Sequence, residues 1–111
     1  MKVNQDYAGT TLDALDEAVT VTVSDCDRIA FVITGTFSGT ITFEASVDGT
    51  TYAAFGMQVP TGGTIVSTAT AAGTFAAVAN SCQGYETVRA RMSSYTSGSA
   101  LVKWQTARIS K

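Results

Sequence analysis

The side chains that most often perform catalysis are few in this chain and widely spaced. The sequence contains no histidine, which removes Ser-His-Asp and Cys-His catalysis. Paired carboxylates can cleave glycosides, but Glu44, Asp48 and Glu86 lie on separate predicted strands and turns, and nothing fixes two of them at the required separation. We therefore expect no enzymatic activity and no cofactor.

Two further residue types could bind a metal or react. Asp25 and Asp27 flank Cys26 and offer oxygen ligands to calcium, although two carboxylates at i and i+2 are common in loops. Cys26 and Cys82 fit no zinc motif. We interpret both cysteines as partly exposed loop thiols that stay reduced in a cytoplasm and can join subunits afterwards; burial as small hydrophobic side chains is the alternative.

The aromatic side chains permit a second class of site. Tyr52, Tyr85 and Tyr95 lie at the ends of predicted strands, where a sugar-binding module would place its aromatic rings. Tyrosines in such positions more often close the core of a sandwich. Trp104 shares a predicted strand face with Val102, which indicates a core or interface position.

Charge is sparse and unevenly distributed. Charged residues make up 14% of the chain, against about 25% in typical domains; this fits a surface solubilised by hydroxyls or one covered by neighbouring subunits, where charges are depleted. The net charge of −2 disfavours nucleic-acid binding. The charged side chains of residues 1–27 are mostly acidic, and those of residues 85–111 are mostly basic. The two regions can therefore pair within one chain or between subunits.

The elements that must position these residues are β-strands. Val19, Val21 and Val23 alternate with threonines, as in a half-buried strand. Residues 28–35 are apolar on both faces, which indicates a central or covered strand. Asp48-Gly49 predicts a tight hairpin turn with Gly49 at positive φ. About eight strands follow one another at the spacing of an all-β sandwich. Its expected core includes the following side chains: Val21, Ile29, Phe31, Ile33, Ile41, Phe43, Val88 and Trp104.

The amino-terminal region lacks this alternation. Residues 1–17 have no sustained apolar stripe and no apolar segment after the early lysine, so we expect no signal peptide and a protein made in a cytoplasm. The longest apolar runs are too short to span a membrane. We predict an extended N-terminal arm (1–17) and a β-sandwich domain (18–111), and we expect a chain that begins at Ala18 to fold normally.

Most of the chain, roughly residues 12–104, resembles a family of small β-sandwich proteins encoded in the structural gene clusters of tailed bacteriophages. The shared pattern includes "SGTITFE", "SVDGTTY" and "VRARMSSYTSGS". This chain departs from it in having Tyr52 where a tryptophan is common, and in carrying Cys26 and Cys82. The resemblance implies a jelly-roll-like antiparallel sandwich and a virion component without catalytic residues: a head decoration or cement protein, or a neck, tail or fibre subunit.

The sequence therefore supports a non-enzymatic virion protein that is present in the particle in many copies, forms a homo-oligomer and binds the major capsid protein or other virion subunits. A carbohydrate- or receptor-binding module is the alternative. The candidate partner contacts are the following side chains: Tyr7, Leu12, Leu15, Arg89, Arg91, Lys103 and Arg108. We also expect that Cys26 and Cys82 do not pair within one subunit, because the strands after them are predicted to start at opposite ends of one sheet.

Overall fold

A computed structural model describes residues 2–23, 28–59, 65–77 and 84–108, with side chains described from residue 9 to residue 106 within those ranges. Ten β-strands account for most of this length. They are β1 (Lys2–Leu12), β2 (Ala18–Thr22), β3 (Arg28–Thr34), β4 (Phe37–Ser46), β5 (Tyr52–Ala54), β6 (Met57–Gln58), β7 (Thr68–Ala69), β8 (Gly73–Ala77), β9 (Thr87–Gly98) and β10 (Ala100–Arg108).

The strands form two antiparallel sheets. Sheet A has the order β1-β10-β3-β8-β6, and sheet B has the order β2-β9-β4-β5, with β7 pairing to β4 beside β5. Nearly every connection crosses from one sheet to the other; only β4 and β5 are consecutive strands of the same sheet. The predicted antiparallel β-sandwich is confirmed.

The core lies between the two sheets, where the alternation of apolar residues predicts it. Phe43 stands at its centre, fully buried, with its ring centroid 5.7 Å from that of Phe31 and 5.2 Å from that of Phe75. Seven of the eight predicted core side chains are buried. The eighth, Trp104, is partly exposed and packs against the edge of this core.

The amino-terminal region differs from the predicted arm. Residues 2–12 form β1, which pairs with β10 from Lys2 opposite Arg108 to Leu12 opposite Ala100. The register shifts between Asp6 and Thr10, and Gly9 in this bulge has φ +73°. Because Leu12 is fully buried in the core, the prediction of a loosely ordered arm over residues 1–17 is wrong for this stretch.

The β4–β5 hairpin is closed by a five-residue loop, residues 47–51, and Gly49 has φ +84°. Positive φ at Gly49 is therefore confirmed, although the loop is longer than a two-residue turn. One oxygen of Asp48, Oδ1, accepts hydrogen bonds from the Ser46 hydroxyl (2.9 Å) and from the backbone N–H groups of Thr50 (2.9 Å) and Thr51 (2.8 Å). The Thr51 and Thr50 N–H groups hold the pKa of Asp48 far below its usual value, so the carboxylate organises the loop.

Cys26 and Cys82 lie outside the described residues, but the topology bears on the argument made for them. Cys26 precedes β3 in sheet A and Cys82 precedes β9 in sheet B. Because β3 and β9 start at the same end of the sandwich, the premise that the two strands start at opposite ends of one sheet is wrong. That the two thiols do not pair remains a prediction without this support.

Candidate functional site

The predicted basic contacts Arg89 and Arg91 lie on the outer face of sheet B, where both donate hydrogen bonds to Glu44. Arg89 Nε donates to Glu44 Oε1 at 2.7 Å. Arg91 donates to both oxygens of the same carboxylate, from Nε at 3.1 Å and from Nη2 at 3.2 Å, and its Nη1 donates to Asp16 Oδ1 at 2.7 Å. The Glu44 side chain is only 12% exposed, so this carboxylate is largely shielded from water.

Hydrogen bonds favour the ionised forms of Glu44 and Arg91. The bonds from Arg91 and Arg89 lower the pKa of Glu44 against the opposing effect of its partial burial. Glu44 in turn raises the pKa of Arg91. The ionised forms of Glu44 and Arg91 are therefore favoured by their contact with each other, as intramolecular pairing predicts.

Tyr52 extends the cluster onto β5. The Arg89 guanidinium carbon stands 3.7 Å from the centroid of the Tyr52 ring, a cation–π contact. The Tyr52 hydroxyl lies 2.9 Å from the Thr87 hydroxyl on β9. One face of this ring is therefore covered by the chain itself.

The other two tyrosines are also engaged within the chain. Tyr85 meets Phe55 edge-on, with centroids 5.8 Å apart, and the Tyr95 hydroxyl donates to the Gly98 carbonyl at 2.9 Å. These contacts close the ends of the core. Each of the three tyrosines is therefore engaged by other residues of the chain.

The outer face of sheet A differs in chemistry from that of sheet B. Ala30, Val32 and Thr74 line a shallow groove of about 180 Å³ beside Lys103. Among the described side chains of this face the charges are those of Lys103 and Arg28, and neither makes an ion pair within the described part of the chain. Of the predicted basic contacts with a described side chain, Lys103 is thus the one that forms no ion pair with a described residue.

The acidic connection between β1 and β2, residues 13–17, carries exposed carboxylates. Glu17 Oε1 accepts a hydrogen bond from the Asp13 N–H at 2.7 Å, which lowers the pKa of Glu17, whereas the hydrogen bond with the Glu17 carboxyl raises the pKa of Asp13. Leu15 in this connection is 57% exposed and fits the predicted role of a partner contact. Leu12, fully buried, does not, and that assignment is wrong.

The structure describes the remaining candidate residues only in part. Tyr7 and Arg108 belong to β1 and β10, but their side chains fall outside the described part, as do Asp25, Cys26, Asp27 and Cys82 entirely. Among the residues whose positions are described, no group of three or more acidic or cysteine side chains could hold a metal ion. In the same part of the chain, no helix is long and apolar enough to cross a membrane.

Sequence reasoning missed the role of Glu44. Glu44, Arg89 and Arg91 occupy outward positions of β4 and β9. Their meeting depends on the pairing of these two strands, which sets Glu44 opposite Arg89 and Thr42 opposite Arg91. Strands 45 residues apart in sequence pair through tertiary structure, so a local pattern carries no signal for this contact.

Comparison with known proteins identifies the fold. No protein-family model matches the chain, and no curated protein matches it in sequence. The structure is similar to that of the SPBc2 prophage-derived protein YomS, with a TM-score of 0.69 and 16% identity over 96% of this chain and 95% of that one. A protein of Bacillus endospore appendages, described as a novel family of disulfide-linked pili, aligns with a TM-score of 0.43 and 16% identity over 97% and 90% of the two chains. The chain therefore shares its β-sandwich fold with YomS over nearly its whole length.

Proposed function

We propose that this chain is a non-enzymatic structural protein of a bacteriophage virion, and specifically a capsid decoration or cement protein that binds and stabilises the assembled particle. The observation that carries the proposal is the similarity in fold to a prophage-derived protein over 96% of the chain. The resemblance of residues 12–104 to phage structural proteins supports it independently. A neck, tail or fibre subunit is the alternative position within the same class.

The use of the charged side chains supports a structural role. Glu44 is held by two arginines, and Asp48 is occupied by the hydroxyl and N–H groups of its own loop. These carboxylates accept hydrogen bonds that stabilise strand pairing and a loop, as expected in a structural protein. The strand order, with all but one connection crossing between sheets, supports the jelly-roll-like arrangement.

The outer face of sheet A is the surface best suited to a virion partner. Small neutral side chains let a flat neighbour approach closely, and Lys103 and Arg28 offer charges that an acidic surface would neutralise. Single rim pairs contribute only about 0–1 kcal/mol, so affinity must come from buried apolar area and from repetition over many copies. We therefore assign the contact with the major capsid protein to this face.

Particles that lack the protein provide the test. The gene is deleted from the phage that encodes it, purified protein is added back to the resulting particles, and bound protein is measured after sedimentation. We expect saturable binding that Lys103→Glu weakens. The matched control is Thr68→Glu, which places a glutamate on the outer face of sheet B away from β2 and should bind normally.

Two outcomes would overturn the assignment. Absence of saturable binding to particles would refute the virion role. Binding of the isolated protein to polysaccharide on a glycan array, with none to particles, would favour the carbohydrate-binding alternative instead.

A further inference from the structure

The described edge strands differ in length between the two sides of the sandwich. On one side the edge strands are β6 with two residues, β5 with three and β7 with two. Such short strands expose few unpaired backbone groups. On the other side the edges are β1 and β2, and β1 is interrupted by the bulge around Gly9. Among the described strands, β2 is therefore the edge strand that is both uninterrupted and longer than three residues.

The register shows which backbone groups of β2 are free. Met92 N–H donates to the Glu17 carbonyl and Val23 N–H donates to the Glu86 carbonyl, so the odd-numbered residues of this segment face β9. In an antiparallel ladder the groups alternate in direction. The N–H and C=O groups of Ala18, Thr20 and Thr22 therefore point away from the sheet, and within the described residues they have no hydrogen-bond partner.

β2 lacks the features that usually prevent an edge strand from pairing with another strand. Natural edge strands are usually blunted by proline, lysine, a bulge or an inward-pointing charge. Residues 18–22 are Ala-Val-Thr-Val-Thr, with the valines buried and both threonines exposed. An added strand would meet regular backbone flanked by small and β-branched side chains.

We infer that β2 accepts an extended strand from a partner protein, and that this strand carries basic residues where it passes the acidic connection 13–17. Asp13 and Glu17 are exposed at the amino end of β2 and face no basic side chain in the described structure. Residues 3–27 contain no lysine or arginine. The β2 edge of a second copy therefore cannot supply the complementary charge, and the partner is a different segment. The inference deepens the proposed assembly role and rests on it for the existence of a partner chain.

Thr20 allows a clean test because its N–H points outward. Thr20→Pro removes the central free donor without removing a hydrogen bond to β9, and proline is tolerated at such edge positions. The extended conformation of Val19 suits a residue before proline. Thr20→Val is the matched control because it keeps the N–H and the β-branch. Thermal melts of both variants check that the fold is retained.

The probe is a synthetic peptide, Lys-Lys-Thr-Val-Thr-Val-Thr-Lys-Lys, compared with the same peptide in which glutamates replace the lysines. Binding to the full chain is followed by NMR titration and amide hydrogen exchange. We expect the lysine peptide to slow exchange at Ala18, Thr20 and Thr22 and to bind more tightly than the glutamate peptide, with the difference shrinking at high salt. Thr20→Pro should weaken binding by about tenfold, and Thr20→Val should not.

Several results would overturn the inference. These are equal binding of the two peptides, unchanged exchange at Ala18, Thr20 and Thr22, or normal binding by folded Thr20→Pro. Self-association of the chain that Thr20→Pro abolishes would make a second copy the occupant. The particle-binding test above uses Lys103 on the opposite sheet, so failure here leaves that test intact.

Discussion

At the scale of single residues, Gly49 and Asp48 determine the β4–β5 loop. A Cβ at position 49 would meet only the Glu86 side chain, at 3.9 Å, so space is available. The backbone sets the constraint, because residues other than glycine, asparagine and aspartate rarely adopt a φ of +84°.

Gly49→Ala should therefore lower the free energy of unfolding by about 1–2 kcal/mol. Gly49→Asn should lower it less, because asparagine tolerates left-handed backbone. Urea denaturation of the two variants measures the difference. Equal losses would show that contacts of the new side chain, and not φ, set the cost.

Asp48 should make the stability depend on pH. Its pKa is lowered in the folded chain, below the value of about 3.9 for an unfolded aspartate. The stabilisation is therefore fully present above about pH 4 and is lost as pH falls below it. Denaturation at pH 7 and at pH 3 should show a smaller acid loss for Asp48→Ala than for the unchanged protein. An identical acid loss in both would contradict the role given to this carboxylate.

At the scale of elements, the clearest contact is the one that joins β4 to β9 through Glu44. Glu44→Gln removes the charge that pairs with Arg89 and Arg91 while keeping the side-chain size. Because the side chain is 12% exposed, the expected loss is about 1–2 kcal/mol, more than an exposed ion pair contributes.

Glu86→Gln is the control for this change. It removes the same charge from an exposed side chain that forms no ion pair with a described residue. Its free energy of unfolding should stay within about 0.5 kcal/mol of the unchanged protein. Similar losses in the two variants would mean that net charge, and not the Glu44 cluster, explains the effect.

The elements also show what local sequence can predict. The alternating valines of β2 and the apolar residues of β3 and β4 face the core as predicted, because burial on one face imposes a period of two. Ser46 breaks the expected alternation: it is buried next to Ala45 because its hydroxyl bonds into the Asp48 loop. β1 was missed because polar residues dominate it and its register shifts at a bulge, so no period is visible.

At the scale of the whole molecule, β1 is part of the sandwich. Leu12→Ala should cost about 2–5 kcal/mol because the side chain is fully buried. Leu15→Ala, three residues along and 57% exposed, should be close to neutral. The expectation that a chain beginning at Ala18 folds normally is revised as well. Removing residues 1–17 deletes β1 from sheet A and should destabilise the fold. Equal melting temperatures for Leu12→Ala and the unchanged protein would contradict this placement.

The two outer faces give the molecule a polarity. Sheet B carries the Glu44 ion-pair cluster on its outer face. The described side chains on the outer face of sheet A are neutral apart from Lys103 and Arg28, and neither of these forms an ion pair with a described residue. The two predicted basic strands therefore differ: the arginines of β9 pair within the chain, whereas Lys103 on β10 forms no ion pair with a described residue. The sequence predicted the basic residues but not this division, because it follows from which sheet each strand joins.

Quantitative mass spectrometry of purified phage particles tests the virion role most directly. Copies of this chain are counted against copies of the major capsid protein in the same preparation. The account predicts a fixed ratio in which this chain is present in numbers comparable to the capsid protein. A few copies per particle would place it in the neck, tail or fibre, and its absence from particles that are otherwise complete would contradict the proposed function.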